Sequence, residues 1–356
     1  MLPTADSGTT PSGNPLDYPL AHEPKTGDAS VVEVAPGVLW LRMPLFASLP
    51  WINVWALADA GGWTIVDTGL KSPKTLEAWE QAFHGALAGA PVVRIIATHM
   101  HPDHVGMAGW IAERFQAPLW MSQLEYLNCR LMAADTGRKA PAEGIGFYRG
   151  AGWGEEAIER YKARFGAFGE MIYPLPSAYR RIVEGERLII GAHSWTVVVG
   201  RGHSPEHACL YCEELQLLIS GDQVLPKISS NVSVYPTEPE ANPLRDWLHS
   251  LAHVRASVSG DVLVLPAHNS PFTGLHARLA QLADGHRDGL TKLREALQTP
   301  RRAVDVFASL FARPIRDELL WMATGETLAH LNYLWKAGEI TRDTDAQGVW
   351  WWQRRG

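Results

Sequence analysis

Between Thr98 and His104 the chain reads Thr-His-Met-His-Pro-Asp-His, so His99, His101 and His104 stand within six residues of one another beside Asp103. Imidazole nitrogens and a carboxylate crowded at this spacing suit borderline divalent cations such as zinc. The cluster directly follows residues 92–97, a short apolar run that reads as a strand buried on both faces. Three imidazoles and a carboxylate on the loop leaving such a strand are costly to leave unpaired, which argues for a ligand set over a solvated loop.

Four further polar pieces follow apolar runs in the same way. Asp67-Thr68-Gly69 follows residues 63–66, Gly202-His203 follows 195–199, Ser220-Gly221-Asp222 follows 217–219, and Ala267-His268-Asn269 follows 262–265. Each piece ends an apolar strand, so all can converge on one edge of a sheet sandwich. His207 competes with His203 for one ligand role; His203 is preferred because it lies at the strand end, right after Gly202. Cys209-Leu210-Tyr211-Cys212 matches Cys-x-x-Cys but falls in an apparent strand, where positions three apart face opposite sides. Core packing is the expected fate of that pair.

The elements that must position these residues follow from hydrophobic period. Residues 38–41, 53–57 and 63–66 read as consecutive strands, with Gly61-Gly62 as a hairpin turn, and 76–87 has helical spacing. Strands then alternate with helices to about residue 275, the pattern of a layered α/β domain. Residues 1–30 are rich in Pro, Gly, Ser, Thr and Asp without periodicity, and read as a flexible tail or an arm draped over the surface. Residues 126–181 are helical in flavour and rich in aromatics and glycine, as an insertion covering the catalytic domain would be. A cap over a metal site needs an apolar wall, for which Tyr126, Phe147, Tyr148 and Trp153 are candidates.

With 356 residues the chain exceeds one ordinary domain, and a catalytic domain with an appended module is expected. A net charge of -6 argues against holding nucleic acid by bulk electrostatics. The first residues lack a basic segment followed by an apolar run, no apolar stretch is long enough to span a bilayer, and three cysteines make no disulfide framework. A reducing cytoplasm, with no membrane contact, is the expectation.

His-x-His-x-Asp-His, with the other four pieces in this order, resembles the metallo-β-lactamase superfamily across residues 31–275. The resemblance implies an α/β fold, a four-layer αββα sandwich, here with a helical cap at about 126–181. It assigns one metal ion to His99, His101 and His203 and a second to Asp103, His104 and His268, with Asp222 bridging and Asp67 orienting a ligand or bound water. The implied cofactor is two divalent ions per chain, Zn2+ foremost, with Mn2+ or Fe2+ as alternatives. His101 stands where the iron-dependent flavoprotein branch carries an acidic residue, which favours hydrolysis over oxygen chemistry. In the implied mechanism a hydroxide bridging the cations attacks the substrate, with Asp103 and Asp222 as the catalytic carboxylates.

Residues 276–356 form a separate module, helical and then a strand pair, resembling a winged helix. The step Leu331-x-x-Leu334-x-x-x-Gly338-x-Ile340 resembles the tail of the β-lactamase-like protein 2 family, which includes endoribonucleases. Residues 301–356 carry eight Lys/Arg against seven Asp/Glu, and the presumed recognition helix, residues 326–336, has one Lys and one Glu. So little surplus charge is poor at the counterion release that drives nucleic-acid affinity. The module is therefore expected to pack on the catalytic domain or on a second copy in a homodimer, with Trp321, Trp335 and Trp350-Trp351-Trp352 as anchors. Hydrolysis of a small carbonyl substrate, a thioester (glyoxalase II-like), ester or lactone, is the expected function. A metal-dependent endoribonuclease is the alternative.

Overall fold

The computed structural model describes residues 15–45 and 49–356. The first 14 residues of the expected tail lie outside the described residues. The rest of that segment is laid on the body of the protein. Leu16 is buried, Asp17 bridges to Thr273, and Glu23 pairs with Arg42 at 2.8 Å.

The first sheet has seven strands in sequence order: β1 (Val32–Ala35), β2 (Val38–Pro44), β3 (Trp51–Asp59), β4 (Gly62–Val66), β5 (Val92–Ile96), β6 (Leu119–Met121) and β7 (Arg180–Arg181). Its first four strands pair antiparallel and its last four parallel. The parallel crossovers carry α1 (Pro73–His84), α2 (Pro102–Val105), α3 (Ala108–Phe115), α4 (Gln123–Ala134), α5 (Ala142–Gly150) and α6 (Glu155–Arg164). The second sheet holds β8 (Arg187–Ile190), β9 (His193–Gly200), β10 (His207–Cys212), β11 (Leu217–Gly221) and β12 (Leu263–Pro266) in the order β12-β11-β10-β9-β8. α7 (Pro243–Ser257) precedes β12, and α8 (Leu275–Ala296), α9 (Phe307–Leu310), α10 (Leu320–Lys336) and the hairpin β13 (Ile340–Thr344) with β14 (Trp350–Arg354) complete the chain.

Strand alternation explains the layers. In β2, Trp40 joins the core between the sheets while Leu41 and Met43 join the core under α1 and α3; in β5, Ile96 and Ile95 divide the same way. In the second sheet Leu210, Ile219 and Leu265 face the first sheet, while Cys209, Leu218 and Val264 face α7, α8 and α10. The result is the expected αββα sandwich. Cys209 and Cys212 indeed lie in different cores, as strand period requires.

Two local expectations shift. The β3–β4 turn is Ala60-Gly61, not Gly61-Gly62: Gly61 takes the left-handed conformation at φ 81° and Gly62 already pairs with Asp59. Gly62 is needed for a different reason, since a side chain there would run into the carbonyl of Pro91. The first helix also starts a turn earlier than the apolar spacing implies. Ser72 caps it, its Oγ accepting the Thr75 N–H at 3.1 Å, and Pro73 opens its first turn.

The C-terminal helices share one core with the second sheet, and Phe147 and Tyr148 of α5 belong to that core too. α10 departs most from expectation. Its sequence reads as amphipathic, but residues 323–332 are all buried, the condition of a helix packed on every side. The stretch 323–332, enclosed in this way, has no face left to enter a nucleic-acid groove. Among the described residues no helix is long and apolar enough to cross a membrane.

Candidate metal centre

β4, β5, β9, β11 and β12 all deliver their C-terminal ends to one edge of the sandwich. β4 and β5 are parallel, and β9 runs with β11 and β12 because each is antiparallel to β10 or parallel to its neighbour. Each of the five polar pieces lies on the loop that leaves one of these strands. Loops at strand ends carry functional groups without disturbing the core, and the sheets fix their spacing.

His99, His101, His203 and Asp222 have ligand atoms within 4.8 Å of one another, as do Asp103, His104 and His268. In the first group, His99 Nε2 lies 2.9 Å from His101 Nδ1 and 3.3 Å from His203 Nε2. In the second, His268 Nε2 is 3.4 Å from Asp103 Oδ2. Asp222 stands between them: Oδ2 is 3.4 Å from His203 Nε2, while Oδ1 is 3.5 Å from His104 Nε2 and 3.4 Å from His268 Nε2. Each of its oxygens faces one group.

The donor set fits divalent cations. His104 Nε2, His268 Nε2 and Asp222 Oδ1 are buried without a hydrogen-bond partner and converge on one another. Facing nitrogens and carboxylate oxygens of this kind are satisfied by a cation between them. Electrostatics agree. Burial, with His104 and His101 nearby, drives His99 far below the ordinary imidazole value, and burial beside His203 pushes His101 down to about 3. Burial would also lower His104 and His268, but Asp67, Asp103 and Asp222 beside His104, and Asp222 and Asp103 beside His268, outweigh it and raise both. Burial works to raise Asp222 and Asp103, yet the surrounding imidazoles hold both carboxyls below their usual range. The site attracts positive charge. Asp103 is its opening to solvent, with 26% of its side chain exposed.

Supporting groups hold this set in place. Asp67, in the left-handed region at φ 59°, accepts from Thr98 N and Thr98 Oγ1 at 2.8 Å each and from His104 Nδ1 at 2.7 Å. With Nδ1 donating there, His104 turns Nε2 to Asp222. His203 Nδ1 donates to the Asn231 carbonyl at 2.7 Å, which likewise leaves Nε2 for the site. His207, the competing candidate, turns elsewhere: its Nε2 accepts the Asp222 backbone N–H at 3.0 Å. Burial and the neighbouring His203 keep it neutral, as that role demands.

Sequence reasoning missed Glu125 and Asn53. Fully buried Glu125 on α4 accepts the Met100 N–H at 2.9 Å and the Glu206 N–H at 2.7 Å, tying together the loops that carry His101 and His203. Asn53 on β3 donates to the carbonyls of Pro266 at 2.8 Å and Asn269 at 2.6 Å, gripping the loop on either side of His268. The only advance signal was weak, a lone acid at Glu125 on the helical face it shares with Cys129. The four aromatic candidates for the pocket wall divide between two cores. Tyr126 stacks on Tyr179 at 3.8 Å in the core under the first sheet. Phe147 and Tyr148 lie in the opposite core, with Tyr148 stacked on Trp153 at 4.1 Å and Trp153 Nε1 donating to Thr324 at 2.8 Å. A third group, His193, Cys212 and Glu214, sits at the far ends of β9 and β10, where His193 and Glu214 already pair at 3.0 Å.

Comparisons with known proteins agree with this geometry. A family model described as the metallo-β-lactamase superfamily matches residues 52–297, and one described as the metallo-β-lactamase-like C-terminal domain matches residues 290–355. The probable metallo-hydrolase YqjP of Bacillus subtilis is 25% identical over 318 residues, covering 85% of this chain and 94% of its own. A crystal structure of a β-lactamase domain protein from Burkholderia ambifaria is 41% identical, with a TM-score of 0.87 over 96% of this chain and 98% of that one. The metallo-β-lactamase family protein TTHA1429 from Thermus thermophilus is 29% identical, with a TM-score of 0.76 over 91% of this chain and 100% of that one.

Proposed function

This chain belongs to the metallo-β-lactamase superfamily of metal-dependent hydrolases, and from that premise we propose that it is a dinuclear zinc hydrolase of small carbonyl substrates: thioesters, esters or lactones. The observation that carries the dinuclear reading is Asp222, whose two oxygens face two different ligand groups. In this reading His99, His101 and His203 hold one ion, Asp103, His104 and His268 the other, and Asp222 both. Bound there, such ions supply a water acidified from 15.7 towards roughly 7 and an acid to polarise the carbonyl oxygen. Asp67 and Asn231 keep His104 and His203 in the tautomer that presents Nε2. Asp103, with its side chain partly open to solvent and Oδ2 3.4 Å from His268 Nε2, is the carboxylate we assign to orienting water or passing a proton on.

An exposed apolar face on a helix that braces the site favours a small apolar acyl substrate. α4, tied to both ligand loops through Glu125, exposes Leu124, Leu127 and Leu131, which share one helical face. The helix that a winged-helix reader would insert into nucleic acid is buried up to Asn332. The test is elemental analysis of protein grown in metal-replete medium, followed by thioester, ester, lactone, β-lactam and single-stranded RNA substrates. Two ions per chain, mostly zinc, with turnover of the carbonyl compounds are expected. One ion or none defeats the dinuclear reading, and an RNA complex of micromolar affinity that weakens steeply with salt makes the endoribonuclease the better one.

A further inference from the structure

The chain between β11 and α7 forms a strap, buried from Ser229 to Val234, that touches the metal centre on one side and α10 on the other. On the metal side, the Asn231 carbonyl accepts His203 Nδ1–H at 2.7 Å and the Ser230 hydroxyl donates to the Asp222 carbonyl. On the other side, the Asn231 side-chain amide donates to Glu326 Oε2 at 2.8 Å, and the Val234 N–H donates to the Gly325 carbonyl at 3.0 Å. Farther along, Asn332 of α10 donates to the carbonyls of Pro239 and Ala241 at 3.0 and 2.9 Å. Gly325 has to be a glycine, because a side chain there would meet Ser233.

Glu326 stands out within this contact. It is 3% exposed and is the one acidic side chain among the buried residues of α10, where an apolar residue would serve packing better. Burial pushes its carboxyl up to about 7, while the Asn231 amide works to lower it. In either protonation state an oxygen remains to accept that amide. The carboxyl is therefore kept for what it holds.

We infer that Glu326 is a positioning residue of the metal centre: by fixing Asn231 it orients His203, so the C-terminal module sets the affinity of the ion held by His99, His101 and His203. This rests on the ligand assignment proposed above. An imidazole reaches full strength as a ligand only when its second nitrogen is held, and loss of such an outer partner typically costs about 10–100-fold in metal affinity. Glu326 reaches His203 through one intervening residue, so the lower part of that range is expected.

The experiment titrates full-length, metal-stripped protein with zinc against a chromophoric chelator, which resolves the two affinities. Glu326→Leu should weaken one of the two ions about 10-fold and leave the other in place, whereas Glu326→Gln, which keeps the accepting oxygen, should stay within about threefold of wild type. A general loosening would weaken both ions equally, and that result overturns the inference. So does a Glu326→Leu protein that binds both ions as tightly as wild type, and there the dinuclear reading survives. If Glu326→Leu does not fold, Asn231→Ala set against Glu326→Gln decides, with the same selective loss expected from the former. A wild-type protein that takes up no zinc sinks the ligand assignment itself, before any variant is compared.

Discussion

Two buried histidines of the metal centre and a buried histidine pair between α8 and α10 behave in opposite ways. At the sheet edge His104 and His268 are raised above the ordinary imidazole value although burial lowers them, because Asp67, Asp103 and Asp222 face them. Between α8 and α10, His286 Nδ1 lies 3.2 Å from His330 Nε2, and His330 Nδ1 donates to the Glu326 carbonyl at 2.8 Å. No carboxylate is among the causes acting on this second pair, and burial pushes His286 and His330 down to about 3 and about 4. Equal burial thus yields a cation site in one place and a neutral polar link between helices in the other. For His104 and His268 the facing carboxylates make the difference, whereas burial and neighbouring imidazoles keep His99 and His101 of the same site low.

The largest expected effect comes from removing the part of the α8–α10 region that carries His330. Truncation after Thr299 takes away Phe311, Leu328, Leu331, Leu334, Ile340 and Trp352, all buried in the core of the second sheet. At about 1.5–3 kcal/mol for each large apolar side chain, their loss amounts to roughly 10 kcal/mol or more, comparable to a domain's whole stability. The truncated protein should be insoluble or aggregate on purification. A soluble, monomeric product with a cooperative melt would show that the module is separable and that the shared core means little.

Next in size are changes within the carboxylate-rich set. Asp222→Ala and His101→Ala should each abolish measurable turnover and lower metal content, with circular dichroism close to wild type. Their side chains lie on loops at strand ends, so metal affinity suffers more than packing. The loss in metal affinity should exceed the roughly 10–100-fold that an outer partner carries. Loss of soluble expression in both variants would count against this division of labour between ligands and core.

The two sets were unequally legible in the sequence, for a physical reason. Ligands of a metal site are restricted to a few residue types, and His99, His101, Asp103 and His104 sit side by side at the end of an apolar run, so type and spacing speak together. The layered α/β plan was legible too, because short apolar runs alternate with helical segments to about residue 275, and strand period divides each run between two cores. Glu125 and Asn231 were not. Glu125 binds backbone N–H groups 25 and 81 residues away, and Asn231 serves His203 with its main-chain carbonyl, which any residue possesses. The aromatics of 126–181 were ambiguous because a large apolar ring reads alike in a pocket wall and in a core. α10 misled because polar residues such as Thr327, Asn332 and His330 suggest a solvated face, whereas tertiary contacts bury them.

The smallest effect, and the one that sharpens the comparison most, concerns pH. An imidazole held neutral in the folded state at about 3 or 4, but near 6.5 when unfolded, takes up its proton only on unfolding across the interval between those values. Such a group favours the folded state least at low pH. Its penalty is absent above about pH 6.5 and grows by up to about 1.4 kcal/mol per pH unit as pH falls towards 4. Replacing both partners by leucine removes two protonation sites and leaves no half of the pair stranded, so stability at pH 7.5 should change by no more than about 1 kcal/mol. The decline of stability between pH 6.5 and 4.5 should then be shallower in the His286→Leu/His330→Leu protein than in wild type, measured by urea unfolding at each pH. Every other titrating group, the metal-site histidines included, is common to the two proteins and cancels in the difference. Parallel pH profiles would mean that the pair is protonated in the folded protein, and the contrast between the two histidine sets would collapse.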